Sequence, residues 1–142
     1  MCSSDLKTIC EQEIAKAWNP APRRCPDSVG VGHYAIDLHL TTRSHTLMYE
    51  ETQPFEIPLN ALLPVRMRNL LPAAKNIGAT HLTGGCFRLH PVEWTVGEAA
   101  GHLAAFCVRH GLEPGAVADR YMKDFQDILL QNGFQLHWEG LQ

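Results

Sequence analysis

From Tyr34 the chain alternates: Tyr34, Ile36, Leu38 and Leu40 fall on one face, and Ala35, Asp37, His39 and Thr41 on the other. A period of two predicts a half-buried strand. Thr46 to Tyr49 and Gln53 to Leu59 supply candidate partner strands, with Pro54 and Pro58 pushing the second toward a sheet edge. Leu6, Cys10, Ile14 and Trp18 recur at helical spacing and predict a helix over 5–18, closed by Asn19-Pro20. Prolines and glycines crowd 20–32 and predict a loop. The run Asn-Leu-Leu-Pro-Ala-Ala, 69–74, reads as a short strand buried in a parallel sheet. Two helices follow. One starts near Thr95, with Thr95 and Glu98 at capping-box spacing, and buries Val96, Ala100, Leu103 and Cys107 before Gly111. The other starts at Pro114, carries Val117, Tyr121, Phe125, Ile128 and Leu129 inward, and ends at Asn132-Gly133.

The 142 residues suffice for a core, and 45% hydrophobic with 19% charged residues fits an ordinary globular chain. The net charge of −3, with cations scattered, gives no footprint for nucleic acid or anionic membrane. Apolar runs are too short for a membrane span, and no basic-then-apolar leader opens the chain. The cysteines (Cys2, Cys10, Cys25, Cys86, Cys107) are odd in number and form no C-x-x-C, so reduced thiols in a cytoplasmic protein are expected. His33, His39, His81 and His90 show no metal-ligand spacing, and no metal site is expected. No G-x-S-x-G points to a hydrolase. Gly30 to Ala35 fits the letters G-x-G-x-x-A, but that fingerprint must follow a strand and open a helix, whereas this copy follows a loop and opens a strand.

Three pieces in order are more specific: Phe-x-Ile-Pro-Leu at 55–59; Asn-Leu-Leu-x-Ala followed by Asn-Ile-Gly-Ala-Thr-His at 69–81; and Arg-x-x-Pro leading into Gly-Glu-Ala-Ala-Gly at 88–101. With Gly-His-Tyr-Ala-Ile-Asp-Leu-His at 32–39, they resemble the C-terminal portion of a family of FAD-dependent oxidoreductases with a two-part flavin-binding fold, over about residues 27–112. The resemblance implies an α/β fold, α+β for the piece alone: the C-terminal part of a Rossmann-like FAD-binding domain with strands of an adjoining substrate domain. It divides the chain into an N-terminal helix and Pro-rich loop, 1–26, and the oxidoreductase part, 27–142. It implies FAD as cofactor and an unknown small-molecule substrate. It further implies a missing N-terminal portion of the parent chain carrying the pyrophosphate loop, so that this chain alone is inactive. Met-Cys-Ser-Ser-Asp-Leu also resembles the translation of a sequencing adapter, which makes 1–6 an expected artefact of a truncated gene.

By the same resemblance, the turn Lys75, Asn76, Ile77, Gly78 approaches the flavin, although many flavoproteins carry an acidic residue where this chain has Asn76. Val96, Gly97 and Glu98 at the helix start become the ring-side wall. A helix N-terminus carries partial positive charge suited to a reduced flavin, and Gly97, Gly101 and Ala105 leave a bare stripe. That stripe serves equally for packing helix on sheet, and Glu98 equally for capping. Arg88 either faces the flavin or an anionic substrate, or pairs with Glu93 or Glu98. His81 and His90 are candidate proton donors, since imidazole titrates in the useful range. The competing reading is a non-catalytic α+β module that binds another protein or its own missing half.

Overall fold

A computed structural model describes residues 5–139. Met1 to Ser4, with Cys2 and most of the adapter-like stretch, lie outside the described residues, whereas Leu6 N–H donates to Leu63 O at 2.8 Å. The fold is mixed α+β. Strand β1 (Ser28–Gly32) pairs antiparallel with β4 (Phe55–Pro58), and β2 (Ile36–Leu38) pairs antiparallel with β3 (Met48–Glu50). Helices are α1 (Glu11–Ile14), α2 (Gly84–Phe87), α3 (His90–His110), α4 (Pro114–Arg120) and α5 (Met122–Gln131), with a 3-10 turn at Leu59–Leu62.

The core forms where α3 lies across β1, which is paired with β4. Val92, Val96, Ala99 and Leu103 of α3 meet Val29, Phe55, Ile57 and Phe87 in one buried cluster. The helix can come this close because β1 is bare: a Cβ on Gly30 would lie 2.2 Å from Thr95 Cγ2, and one on Gly32 would lie 2.5 Å from Phe55 Cε2. The stretch read as a loop over 20–32 therefore ends in a strand, and its glycines mark close approach rather than a turn. The same placement disposes of the G-x-G-x-x-A letters, since Gly30 to Gly32 sit inside β1 and no helix follows them.

Three further expectations change. The 5–18 helix shrinks to α1, because the preceding backbone bonds elsewhere: Lys7 N–H to Asn60 O at 3.1 Å, and Ile9 N–H to Gly78 O at 2.8 Å. Ile9 and Ile14 bury, while Leu6 and Trp18 of the supposed apolar stripe are exposed. The 69–74 run forms no strand. Pro72 removes a ladder donor, Leu70 is exposed, and the sheets among the described residues are both antiparallel pairs. Finally, α3 starts at His90 rather than Thr95, with Pro91 in its first turn, a position where a missing N–H costs nothing. Thr95 is interior and its hydroxyl donates to Pro91 O at 3.0 Å, so the expected Thr95–Glu98 capping box does not form.

The C-terminal half follows its pattern more closely. Gly111, at φ 62°, closes α3, and α4 starts at Pro114; the expected second helix is interrupted at Tyr121 and resumes as α5, burying Phe125 and Leu129. Beyond α5 the chain returns to the first sheet: Ser28 Oγ donates to Leu136 O at 2.6 Å and Trp138 Nε1 donates to Phe55 O at 3.1 Å. Among the described residues, no helix is long and apolar enough to cross a membrane.

Candidate functional site

A cleft of about 1050 Å³ opens between the β2–β3 hairpin and the segment from Lys75 to Arg88. The hairpin presents Asp37, Leu38, His39, Leu47 and Met48; the opposite wall presents Lys75, Asn76, Ile77, His81, Gly84 and Arg88. Local structure aims these groups. Ile77 is buried and anchors the turn that carries Lys75 and Asn76 outward, while Asn76 Oδ1 accepts the Ala74 N–H at 3.2 Å and keeps its amide N–H free for the cleft. Thr83 Oγ1 donates to Ile9 O at 2.8 Å, fixing α2, and a Cβ on Gly84 would meet nothing within 4 Å.

The centre of charge is Asp37. Its side chain is 15% exposed, and Oδ2 accepts from Arg88 Nη2 at 3.2 Å and lies 3.0 Å from His39 Nε2. Tyr34 OH adds a longer bond at 3.3 Å. Arg88 also donates from Nη2 to Asp37 O and from Nε to Gly85 O, each at 3.2 Å. The partner of Arg88 is thus Asp37, not Glu93 or Glu98, because β2 lies alongside α2 and delivers its carboxylate first. Sequence reasoning gave Asp37 no role and weighed His39 only as a metal ligand. The signal was the Asp-x-His spacing, which places both on one side of a strand.

The expected site residues separate into two groups. Lys75, Asn76, Ile77, His81 and Arg88 come together in the cleft. Gly78 does not reach it: it is buried, its N–H donates to Ala61 O, and an added Cβ would lie 2.0 Å from Lys7 O. Val96 is a core residue, Gly97 abuts Ala73 O, and Glu98 borders a different groove between α3 and the segment 132–138. Gly101 and Ala105, the rest of the bare stripe, are exposed. His90 opens α3 and stacks on Trp94, with ring centroids 6.2 Å apart.

Burial decides the electrostatics of the thiols and of one carboxyl. It pushes the Cys86 thiol up to about 12 and, with Asp27 at 2.9 Å from Sγ, the Cys25 thiol likewise to about 12. Burial raises Cys107 and, at the cleft edge, Asp5 as well. Such thiols stay protonated and are poor nucleophiles. Cys10, Cys25, Cys86 and Cys107 are free, and no group among the described residues could hold a metal ion.

Compared with known protein families, residues 6–129 match the model of a family described as FAD dependent oxidoreductase, a longer span than the 27–112 over which its motifs are evident. No curated protein and no solved structure matches.

Proposed function

Because this chain belongs to the FAD dependent oxidoreductase family, we propose that the cleft between the β2–β3 hairpin and the segment from Lys75 to Arg88 is its share of the flavin site. The observation that carries this reading is the convergence of Lys75, Asn76, Ile77 and Arg88 on one cleft of about 1050 Å³. Cofactor pockets run to roughly 1,000 Å³ and combine apolar walls with a few polar groups. Here Leu38, Met48 and Ile77 provide apolar surface, and the bare Gly84 admits a flat ring. Asn76 offers amide donors to a ribityl hydroxyl, and Lys75 offsets the negative charge of a reduced ring, while Arg88 is paired with Asp37 at the cleft wall. Bound FAD would supply the redox chemistry; the protein would supply binding, orientation and charge.

The sequence holds no strand-to-helix G-x-G-x-x-G, so the reading assigns the pyrophosphate to a part of the parent protein outside this chain. The chain alone then binds FAD weakly and turns over no substrate. Its family substrate is a small molecule, and the free thiols support a reducing, cytoplasmic setting. A second reading, a non-catalytic module that binds another polypeptide, draws on the exposed Val65, Met67, Leu70, Trp94 and Val108.

Titrating the chain into free FAD and following flavin fluorescence tests the flavin reading. Shallow, saturable quenching that weakens in Gly84→Leu is expected. Tight stoichiometric binding would overturn the half-site, and no saturable quenching by the folded chain would overturn the flavin assignment in favour of the module.

A further inference from the structure

We infer that His39 is the proton-accepting residue of the cleft and that Asp37 is its positioning residue; this rests on the flavin reading of the same cleft. Two histidines line that cleft, His39 and His81. Both side chains are exposed, but His81 has no hydrogen-bond partner among the described residues, whereas the His39 ring is held at Nε2, 3.0 Å from Asp37 Oδ2.

The surrounding bonds fix which ring nitrogen carries the proton. Arg88 Nη2 lies 3.2 Å from His39 Nε2 as well. A guanidinium nitrogen of this kind bears two hydrogens and no acceptor site. Nη2 also donates to Asp37 O and Oδ2, each at 3.2 Å, and the Asp37 carboxylate, 3.0 Å from Nε2, has no proton to give. Nε2 is therefore left to donate to the carboxylate, and Nδ1 is left with a bare lone pair. A carboxylate that holds one imidazole N–H sets the tautomer, orients the ring and stabilises the imidazolium formed when the other nitrogen takes a proton. Asp37 is suited to that work because it is itself pinned, by Arg88 and by the Tyr34 hydroxyl at 3.3 Å.

In the reaction, His39 Nδ1 takes the proton from an O–H or N–H of the substrate as that bond breaks. A flavin held beside Lys75, Asn76 and Ile77 would supply the two-electron oxidant for the adjoining carbon, and the proton released from the substrate would reside on the His39 imidazolium.

The assignment is tested on the full chain without flavin. A long-range proton–nitrogen spectrum of the wild type should show His39 with one protonated nitrogen, Nε2, and one bare nitrogen, Nδ1, unaveraged. Diethyl pyrocarbonate at about pH 8, above the ordinary imidazole pKa of roughly 6.5, should acylate His39 faster than His81, read by peptide mass spectrometry. Asp37→Asn should slow that reaction at least about threefold, since the amide withdraws the negative charge that enriches Nδ1. Averaged nitrogen signals, or equal or faster acylation of His39 in Asp37→Asn, would overturn the inference. The spectrum needs no variant, so a folding defect in Asp37→Asn does not shield the inference. A wild-type chain that keeps the fixed tautomer yet fails to quench FAD would sink the flavin reading while leaving His39 as the oriented base of the cleft.

Discussion

Gly78 and Gly84 occupy one short stretch of sequence, yet their surroundings give them opposite tolerances. A Cβ on Gly78 would lie 2.0 Å from the Lys7 carbonyl oxygen, a backbone atom tied into the 5–9 segment, while one on Gly84 would meet nothing within 4 Å. Gly78→Ala is expected to destabilise the fold by at least the 1–3 kcal/mol or so typical of overpacking, seen as a fall in the urea midpoint at unchanged m-value. Gly84→Ala should leave stability unchanged or raise it by up to about 1 kcal/mol, since alanine is the better helix former. Gly78 thus belongs with the scaffold and Gly84 with the cleft. The family resemblance put Gly78 beside the flavin together with Lys75, Asn76 and Ile77. Turn chemistry identifies where a chain bends, but which side of the bend faces the cleft depends on residues 5–9, far away in sequence.

The pairing of β1 with α3 shows the same limit one level up. Regular patterns were legible: the alternation through Ile36 to Leu38, the apolar spacing from Val96 to Cys107, and the Gly111 and Pro114 boundaries all correspond to observed elements. The strand Ser28–Gly32 was not legible, because Gly30 and Gly32 erase its alternation. Those glycines make sense only against a helix that a local window cannot see. Thr95 is that helix's contact, with Cγ2 2.2 Å from where a Gly30 Cβ would sit. Gly30→Ala should therefore destabilise by about 1–3 kcal/mol. In a Thr95→Ala background the collision with Cγ2 is gone, so the added cost of Gly30→Ala should shrink markedly. A double-mutant cycle measured by urea unfolding should give a coupling of about 0.5–3 kcal/mol in that direction, and additive effects would show that α3 does not sit on β1 as described. Thr95→Ala alone also separates the two placements of the helix start. Its loss should affect core contacts at Gly30 but not the N-terminal amide hydrogen bonds that a capping residue would hold.

At the scale of the whole molecule, one core joins the N-terminal segment through Ile9 and Ile14, both sheets through Val29 and Ile36, and the helices through Leu103 and Phe125. Two features bind its pieces to pH. Cys86, inside that core, and Cys25, hydrogen-bonded to Asp27, have thiols pushed by burial to about 12 from the ordinary thiol value of 9.0. A raised folded-state value means that the unfolded chain loses these protons first. Stability is therefore fully present below about pH 9 and declines as pH rises from 9.0 toward 12, where the folded thiols ionise too. Each fully titrating thiol contributes a slope of at most about 1.4 kcal/mol per pH unit. Cys25 is closer to solvent than Cys86, so its share is smaller. Urea unfolding at about pH 7, 9 and 10 should show a steepening loss, and Cys86→Ala should start less stable at pH 7, from the lost side-chain packing, but flatten the alkaline slope. Because a packing defect lowers the whole curve while an ionisation defect changes its tilt, the two effects of the substitution separate in one data set. An unchanged tilt would mean that the Cys86 sulfur is not held away from solvent, and with it that α2, which forms one wall of the cleft, is not seated on the core.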